Sequence, residues 1–308
     1  MNFFRNLTLF RFPLVMVDEL RASIELEEKL SAEVLGDPGP GQMACAGFVP
    51  SFSHSGSLQL CESLGSGDAT LMTIGLNERL LPVGVVNKAV AERIAEHKEQ
   101  SGRNPNGKER KRMREEVTAE LMPRAFVRTR RVRGYVDLQT GWVVIDTSSR
   151  SLAELWVSLV REALGSFPAV PVHSESPRTL LKAMMYGEVS EPDFTLGEDV
   201  NLADLGDASG RITLRGQDLS SAEARAHLET GAIVTALSLR FDGRCTFLLR
   251  DDLSLRSFRF TDTVADINWS DYDDERAYEH ALGTLQVLET RRLLNRLSEV
   301  FSIPAAEV

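Results

Sequence analysis

The 308-residue sequence predicts an α+β fold in which antiparallel sheets pack against helices. Three observations support this class. Short apolar runs separated by turn residues are interspersed with amphipathic helical segments. Consecutive runs at residues 233–241, 244–250 and 255–260 are typical of the strands of an antiparallel meander. Residues 83–121 have helical periodicity but few apolar positions, which predicts a helical hairpin that projects from the body.

The composition is that of a folded globular protein. Hydrophobic residues make up 43% and charged residues 26% of the sequence, which excludes a mainly disordered chain. No apolar run approaches the roughly 18 residues that a membrane span needs, and residues 1–6 lack a signal-peptide pattern. The three cysteines lie far apart in the sequence, which is typical of reduced thiols and argues against a disulfide framework. We therefore expect a cytoplasmic protein of about two domains.

The N-terminal part is predicted to alternate between strands and helices. A β-rich strand covers residues 3–12, and a helix with inward-facing leucines and isoleucine covers residues 17–35. The Gly- and Pro-rich segment 36–41 ends that helix. Further strands are predicted, in order, at residues 44–49, 58–61 and 70–76.

The projecting hairpin is predicted to start after Pro82. One helix covers residues 83–98, a Gly- and Asn-rich loop covers 102–107, and a mainly polar helix covers 108–121. Because the two helices carry few apolar residues, they bury little surface and need a partner surface. Pro123 ends the hairpin.

The rest of the body shows the same kinds of signal. Residues 131–138 and 142–146 flank a Gln-Thr-Gly turn and predict a β-hairpin. Residues 152–164 form an amphipathic helix that Gly165 ends. The remaining predicted elements are a helix at 179–185, a strand at 211–215, a helix at 220–230 opened by a capping box, and a final helix at about 271–301.

Side-chain alternation in the meander predicts its buried face. Leu237 and Leu239 should share that face with Cys245 and Phe247 of the next strand. Such sharing requires an odd number of loop residues. A three-residue loop at 241–243, with its glycine in the left-handed region, satisfies this requirement.

That register places Arg240 directly opposite Arg244. Two like charges in this position destabilise a sheet by a few tenths of a kcal/mol. A bound polyanion would reverse the sign of the effect. The alternative is that two long side chains diverge into solvent.

The charge is distributed unevenly. The chain has a net charge of -10, yet residues 103–133 contain eleven Lys and Arg against four acids, a net +7 that leaves -17 for the rest. Such asymmetry predicts a localised anion-binding surface on an acidic body. A solvated helix face is the simpler alternative.

No catalytic or metal-binding motif is convincing. The sequence lacks a phosphate-binding loop, a nucleophile elbow and the HExxH pair, and its five histidines match no cysteine at zinc spacing. Four acids within residues 271–275 resemble the start of an EF-hand loop, but Arg276 stands where that loop needs glycine. We expect instead a helix N-terminus capped by Ser270, with no cofactor and no metal.

Six short segments carry a family resemblance. They are GFVP at 47–50, RLLP at 79–82, LMPRAF at 121–126, LGSFP at 164–168, QDLS at 217–220 and VTALSL at 234–239. In their order and spacing they resemble the RdgC family, bacterial recombination-associated proteins. The resemblance covers nearly the whole chain and is weakest at residues 188–210 and in the last helix.

The resemblance implies a horseshoe-shaped protomer and a ring-shaped homodimer that encircles DNA. Family members bind double- and single-stranded DNA with little sequence preference, restrain the RecA recombinase and associate with the nucleoid. The likeness assigns the tip to 76–118, the centre to 1–75 and 119–178, and the base to 179–308. Tips meet tips and bases meet bases. Phe126 matches a phenylalanine that helps to close the ring; an ordinary core aromatic is the alternative.

We therefore expect a non-enzymatic protein that holds DNA through phosphate contacts and limits RecA access. The sequence shows no recognition-helix signature, and no aromatics interleave the basic run. One alternative is a metal-dependent nuclease that uses Asp271, Asp273 and Glu275. Another is an interaction module whose basic hairpin docks an acidic partner. The candidate DNA-binding residues are Lys108, Arg110, Lys111, Arg112, Arg114, Arg124, Arg128, Arg130, Arg131, Arg133, Arg240 and Arg244.

Overall fold

The computed structural model describes residues 3–52, 58–203, 210–219, 221, 231–262, 264 and 269–306. The strands are β1 (Leu7–Arg11), β2 (Ala44–Val49), β3 (Cys61–Leu64), β4 (Ala69–Leu80), β5 (Phe126–Asp137), β6 (Trp142–Asp146), β7 (Val170–Pro171), β8 (Phe194–Ala203), β9 (Arg211–Leu214), β10 (Ile233–Phe241), β11 (Cys245–Arg250) and β12 (Leu255–Phe260). The α-helices are α1 (Ile24–Ser31), α2 (Val83–Ser101), α3 (Gly107–Leu121), α4 (Arg150–Leu164), α5 (Pro177–Tyr186) and α6 (Glu275–Val300). The predicted α+β class with a large antiparallel sheet is confirmed.

The chain divides into two compact units. The first unit consists of Met1–Ala32, Pro50–Thr73 and Val132–Val308, and the second of Glu33–Val49 and Ile74–Arg131. The tip, centre and base regions implied by the family resemblance stay a prediction. No helix in the described ranges has the length and apolar character needed to cross a bilayer.

The first unit contains an antiparallel sheet and its main core. Strands follow the order β5-β6-β1-β12-β11-β10-β8-β9, while β7 pairs with β1 and β3 pairs with β4. Trp142 and Trp156 are among its largest fully buried side chains. A Cβ added at Gly134 would lie 2.7 Å from the Trp156 ring, so this contact requires glycine.

Helix α4 forms because its sequence carries both end signals and an apolar stripe. The Ser149 side chain accepts a hydrogen bond from the Leu152 amide at the start. Gly165, at φ 76°, adopts the left-handed conformation at the end. Trp156 on the buried face donates from its indole nitrogen to the Met72 carbonyl at 3.3 Å. The predicted helix is confirmed and begins two residues earlier than expected.

One helix and one strand of the N-terminal part differ from their predictions. The helix expected over 17–35 is instead a 3-10 helix at Leu14–Leu20 followed by α1. Arg21 is extended, and the Ser23 side chain accepts from the Leu26 amide, which starts a separate helix. The strand expected at 58–61 is β3, displaced towards the C-terminus. The helix predicted at 220–230 lies, apart from Ser221, outside the described residues.

The final helix also begins later than predicted. Its cap is Asp274, whose carboxylate accepts from the Ala277 amide at 2.7 Å, rather than Ser270. Glu275 then stands in the first turn, where a carboxylate interacts favourably with the helix dipole. The interpretation as a helix N-terminus is confirmed for Asp274 and Glu275, with the cap moved four residues, whereas Asp271 lies in a 3-10 helix at Trp269–Asp271.

The meander confirms the predicted buried face and corrects its register. Leu237, Leu239, Cys245 and Phe247 are all buried. Phe241 pairs with Cys245, so the three-residue loop is 242–244 rather than 241–243.

The corrected register separates the two arginines. Arg240 pairs with Thr246, and its predicted position opposite Arg244 was wrong. Asp242 and Gly243, at φ 47° and 64°, form the left-handed turn that places Arg244 in the loop. Arg240 and Arg244 therefore form no repulsive cross-strand pair, and their register gives no reason to expect a bound polyanion.

The second unit contains the predicted helical hairpin together with β2 and parts of β4 and β5. Helices α2 and α3 pack against each other. Each contributes one fully buried side chain, Val86 and Val117 respectively. Gly102, at φ 70°, ends α2, and a capping box between Asn106 and Glu109 starts α3. The formation of these two helices thus depends more on the signals at their ends than on a hydrophobic core of their own.

Candidate nucleic-acid interface

The second unit has a net positive charge, whereas the first has a net negative charge. The second unit contains 14 Lys and Arg and 10 Asp and Glu, which gives a net charge of +4. Because the whole chain has a net charge of -10, the first unit has a net charge of -14. A field of opposite sign on the two units attracts a polyanion to one of them and repels it from the other. The second unit is therefore the candidate nucleic-acid interface.

The first part of β5 is an exposed cationic strand. Residues 126–131 are exposed at every position, whereas the strand is buried or half-buried from Val132 onward. Alternation places Arg128 and Arg130 on the same face as Phe126, and Arg131 on the other. The side chains of this strand can therefore contact a ligand from either face.

Neighbouring groups on β4 hold this strand segment. The Thr129 hydroxyl donates to the Asn77 side-chain oxygen at 2.6 Å on one face. On the opposite face Glu78 accepts from Arg128 at 3.0 Å and lies 3.3 Å from Arg130. Glu78 has no signal in the sequence, because no local pattern links it to a residue 50 positions away.

Arg79 fixes the start of β5 from the β4 side. Its guanidinium donates to the carbonyls of Met122, Pro38 and Gln42 at 2.9, 2.8 and 3.2 Å. These bonds tie the end of the helical hairpin to the loop that precedes β2. Arg79 thus positions the exposed segment, and the RLLP motif at 79–82 was its signal in the sequence.

Helix α3 presents the second group of cations, all exposed: Lys108, Arg110, Lys111, Arg112 and Arg114. Lys111 and Arg112 lie 4.0 and 2.8 Å from the glutamates one helical turn ahead. Arg110 donates to the Pro105 carbonyl and Arg114 to the Asn87 side chain. Exposed ion pairs contribute less than about 1 kcal/mol each, so these cations can exchange their partners for phosphate. Arg124, after the helix, is also exposed.

Three predicted DNA-binding arginines lie in the first unit, and two of them are held by internal partners. Arg133 donates to the Phe3 carbonyl at 2.7 Å and stacks 4.4 Å above the Phe3 ring, and burial lowers the pKa of its guanidinium. Arg244 donates to both carboxylate oxygens of Glu289 at 2.7 and 2.5 Å, and this hydrogen bonding raises the pKa of Arg244. Arg240 is exposed.

Phe126 is an exposed aromatic rather than a core residue. Its side chain is 84% exposed, and Leu80 and Val127 are each 42% exposed. The alternative of an ordinary core aromatic was therefore wrong. Such exposure of a large apolar side chain is typical of a contact surface, and its part in closing a ring stays a prediction.

The acids at 271–275, which were considered for a metal site, lie just before or at the start of the last helix. Asp274 caps α6, and Arg276 donates to the side chains of Gln59 and Glu62. Within the described ranges, no three His, Cys, Asp or Glu residues come together as a group that could hold a metal ion.

Comparison with known proteins assigns the family. A family model described as "Putative exonuclease, RdgC" matches residues 2–303. A recombination-associated protein RdgC from Stenotrophomonas maltophilia strain R551-3 is 36% identical over 307 residues, covering 99% of this chain and 100% of the relative. Proteins of the same name from Xanthomonas campestris pv. campestris strain B100 and Xanthomonas oryzae pv. oryzae strain PXO99A are 37% and 36% identical, each over 99% of this chain and 99% and 100% of the relative. The chain therefore belongs to the RdgC family of recombination-associated proteins.

Proposed function

We propose that the protein binds DNA without sequence preference through the second unit. It does so as a ring-shaped homodimer that encircles the duplex, associates with the nucleoid in the cytoplasm and modulates homologous recombination by limiting RecA access to DNA. Family membership and the name of the relatives support the link to recombination. The separation of charge between the two units supports a polyanionic ligand.

The exposed arginine segment of β5 is the observation that carries this proposal. Arg128, Arg130 and Arg131 project from a strand whose six leading residues are all exposed, and the cations of α3 belong to the same unit. Long cationic side chains contact phosphate groups, which are the same at every base pair. Binding of this kind holds DNA without reading its sequence.

Replacement of Arg128, Arg130 and Arg131 together by alanine should weaken DNA binding without unfolding the protein. Each lost phosphate contact removes about 0.9 from the slope of log K against log salt. Fluorescence anisotropy with labelled duplexes of two unrelated sequences, at several KCl concentrations, measures both affinity and slope. Wild-type affinity that depends strongly on sequence, or not at all on salt, would contradict the proposal.

The matched control replaces three ion-paired arginines of the first unit, Arg21, Arg150 and Arg178. It removes the same charge and should bind DNA nearly as the wild type does. If the two triple variants bind equally well, the site lies elsewhere, and Arg240 is the next residue to replace. Failure of the wild type to shift DNA at low and moderate salt would favour the docking of an acidic protein instead.

A metal-dependent nuclease is the second candidate, because the matching family model is described as an exonuclease. The proposed function contains no chemical step, so labelled DNA incubated with the protein and Mg²⁺ or Mn²⁺ should stay intact. Cleavage that disappears on Asp271→Ala would assign the activity to the acids at residues 271–275 and reverse this expectation.

A further inference from the structure

Glu78 lies against the exposed arginine segment of β5. Its Oε2 accepts from Arg128 Nη2 at 3.0 Å and lies 3.3 Å from Arg130 Nε. One carboxylate oxygen is thus shared by two guanidinium groups. All three side chains remain partly exposed, at 32% for Glu78, 48% for Arg128 and 45% for Arg130.

The backbone on both sides of Glu78 is fixed within the second unit. Asn77 accepts from the Thr129 hydroxyl of β5, and the Arg79 guanidinium donates to three backbone carbonyls. The backbone that carries Glu78 is therefore held beside the two arginines. Its carboxylate is a built-in partner for both of them.

A carboxylate and a phosphate use the same guanidinium donors. A phosphate that binds the guanidinium nitrogens which face Glu78 replaces this carboxylate as their partner, and the carboxylate then lies beside the bound anion as a like charge. The effective concentration of a tethered group is millimolar or higher. DNA overcomes this competition because it makes several phosphate contacts at once.

We infer that Glu78 is an internal competitor for Arg128 and Arg130 and lowers the affinity of β5 for phosphate. This inference rests on the proposed function. Glu78 keeps both side chains on one face in the free protein and sets how tightly that face holds DNA. In the free protein, the carboxylate thus occupies the guanidinium donors that a phosphate group occupies when DNA is bound.

The variant Glu78→Gln tests this inference because it keeps the shape of the side chain and removes its charge. Its affinity for a labelled duplex should rise about three- to tenfold at fixed salt, since two exposed ion pairs no longer compete. The slope of log K against log salt should steepen by up to about one for each additional phosphate that the arginines bind. Glu78→Ala gives a second test, and thermal unfolding verifies that both variants are folded.

The matched control is Glu120→Gln. Glu120 is in the same unit, is exposed and pairs with Arg93 at 2.9 Å, so this change also removes one paired carboxylate. It should leave DNA affinity within about twofold of the wild type. In an Arg128→Ala, Arg130→Ala background, Glu78→Gln should also have no effect, because the arginines through which it acts are absent.

Wild-type or weaker affinity in Glu78→Gln would overturn the inference. So would a gain that persists when Arg128 and Arg130 are absent, because the effect would then be general repulsion. The triple alanine variant at Arg128, Arg130 and Arg131 distinguishes a failure of the competitor role from a failure of the proposed DNA-binding site. If it loses binding while Glu78→Gln is unchanged, only the competitor role fails; if it binds like the wild type, the proposed site itself fails.

Discussion

Arg240 and Arg244 show how two residues of one type acquire different roles four positions apart. Arg240 is an exposed residue of β10. Arg244 lies in the following loop and donates twice to Glu289, whose side chain is only 9% exposed. A buried carboxylate left without its partner is costly. Arg244 therefore stabilises the fold, and a contact between its guanidinium and DNA would have to break this pair.

We expect Arg244→Ala to lower the free energy of unfolding by about 1–3 kcal/mol, because Glu289 loses a bidentate charged partner. Arg240→Ala should change it by less than about 0.5 kcal/mol. Urea unfolding followed by circular dichroism measures both variants. Equal stabilities would show that the Arg244–Glu289 pair contributes nothing net to folding.

At the scale of the element, β5 has two halves that differ in exposure. From Val132 to Asp137 it is buried or half-buried, and Gly134 and Tyr135 pair with β6. Residues 126–131 are exposed, and three of the six are arginines. The buried half packs in the first unit, and burial of its apolar side chains stabilises that unit. Within the second unit, the bonds of Thr129 to Asn77 and of Arg128 to Glu78 hold the exposed half.

Helix α3 depends on its first turn, because few of its side chains are buried. The Glu109 amide donates to Asn106 at 3.0 Å, and the Glu109 carboxylate accepts from the Asn106 amide at 2.8 Å. Arg103 also donates to that carboxylate, and these bonds, led by the one from Arg103, lower the pKa of Glu109 to about 2. The first turn is therefore fully capped at neutral pH.

We predict that Asn106→Ala speeds amide hydrogen exchange in the first turns of α3, by an amount equivalent to about 0.5–2 kcal/mol. Asn104→Ala, an exposed change in the same loop, should not. Since the pKa of Glu109 is lowered on folding, its contribution is complete above the ordinary value of 4.5 and declines as the pH falls towards 2. Protection that is insensitive to Asn106→Ala and to pH 2–4.5 would contradict this account.

At the scale of the whole molecule, charge and exposed apolar surface occur in the same unit. The second unit has a net charge of +4 and exposes Phe126, Leu80 and Val83, whereas the first unit has -14. A cationic unit that also offers an apolar contact can bind a polyanion and a second copy of the chain through separate residues. This combination agrees with the proposed ring, in which Phe126 closes a contact between protomers.

We expect light scattering to give twice the monomer mass of 34.1 kDa for the wild type. Phe126→Glu should raise the dissociation constant of the dimer, because a charge would replace an apolar contact. The control is Leu58→Glu, which places the same charge at a residue of the first unit that is also 84% exposed. A monomeric wild type would rule out the ring, and an unchanged dissociation constant in Phe126→Glu would move the contact elsewhere.

Local sequence signals determined the class of fold, most elements and the family. The strands at 233–241 and 255–260 were predicted with their observed bounds, and α4 within two residues, because alternation and end signals act over a few positions. Only the tertiary structure decided the register after β10, the partner of Arg244 and the contact of Glu78 with Arg128. Their partners lie 45 and 50 residues away in sequence. Such contacts depend on how complete elements pack, and a periodic pattern within one element contains no information about them.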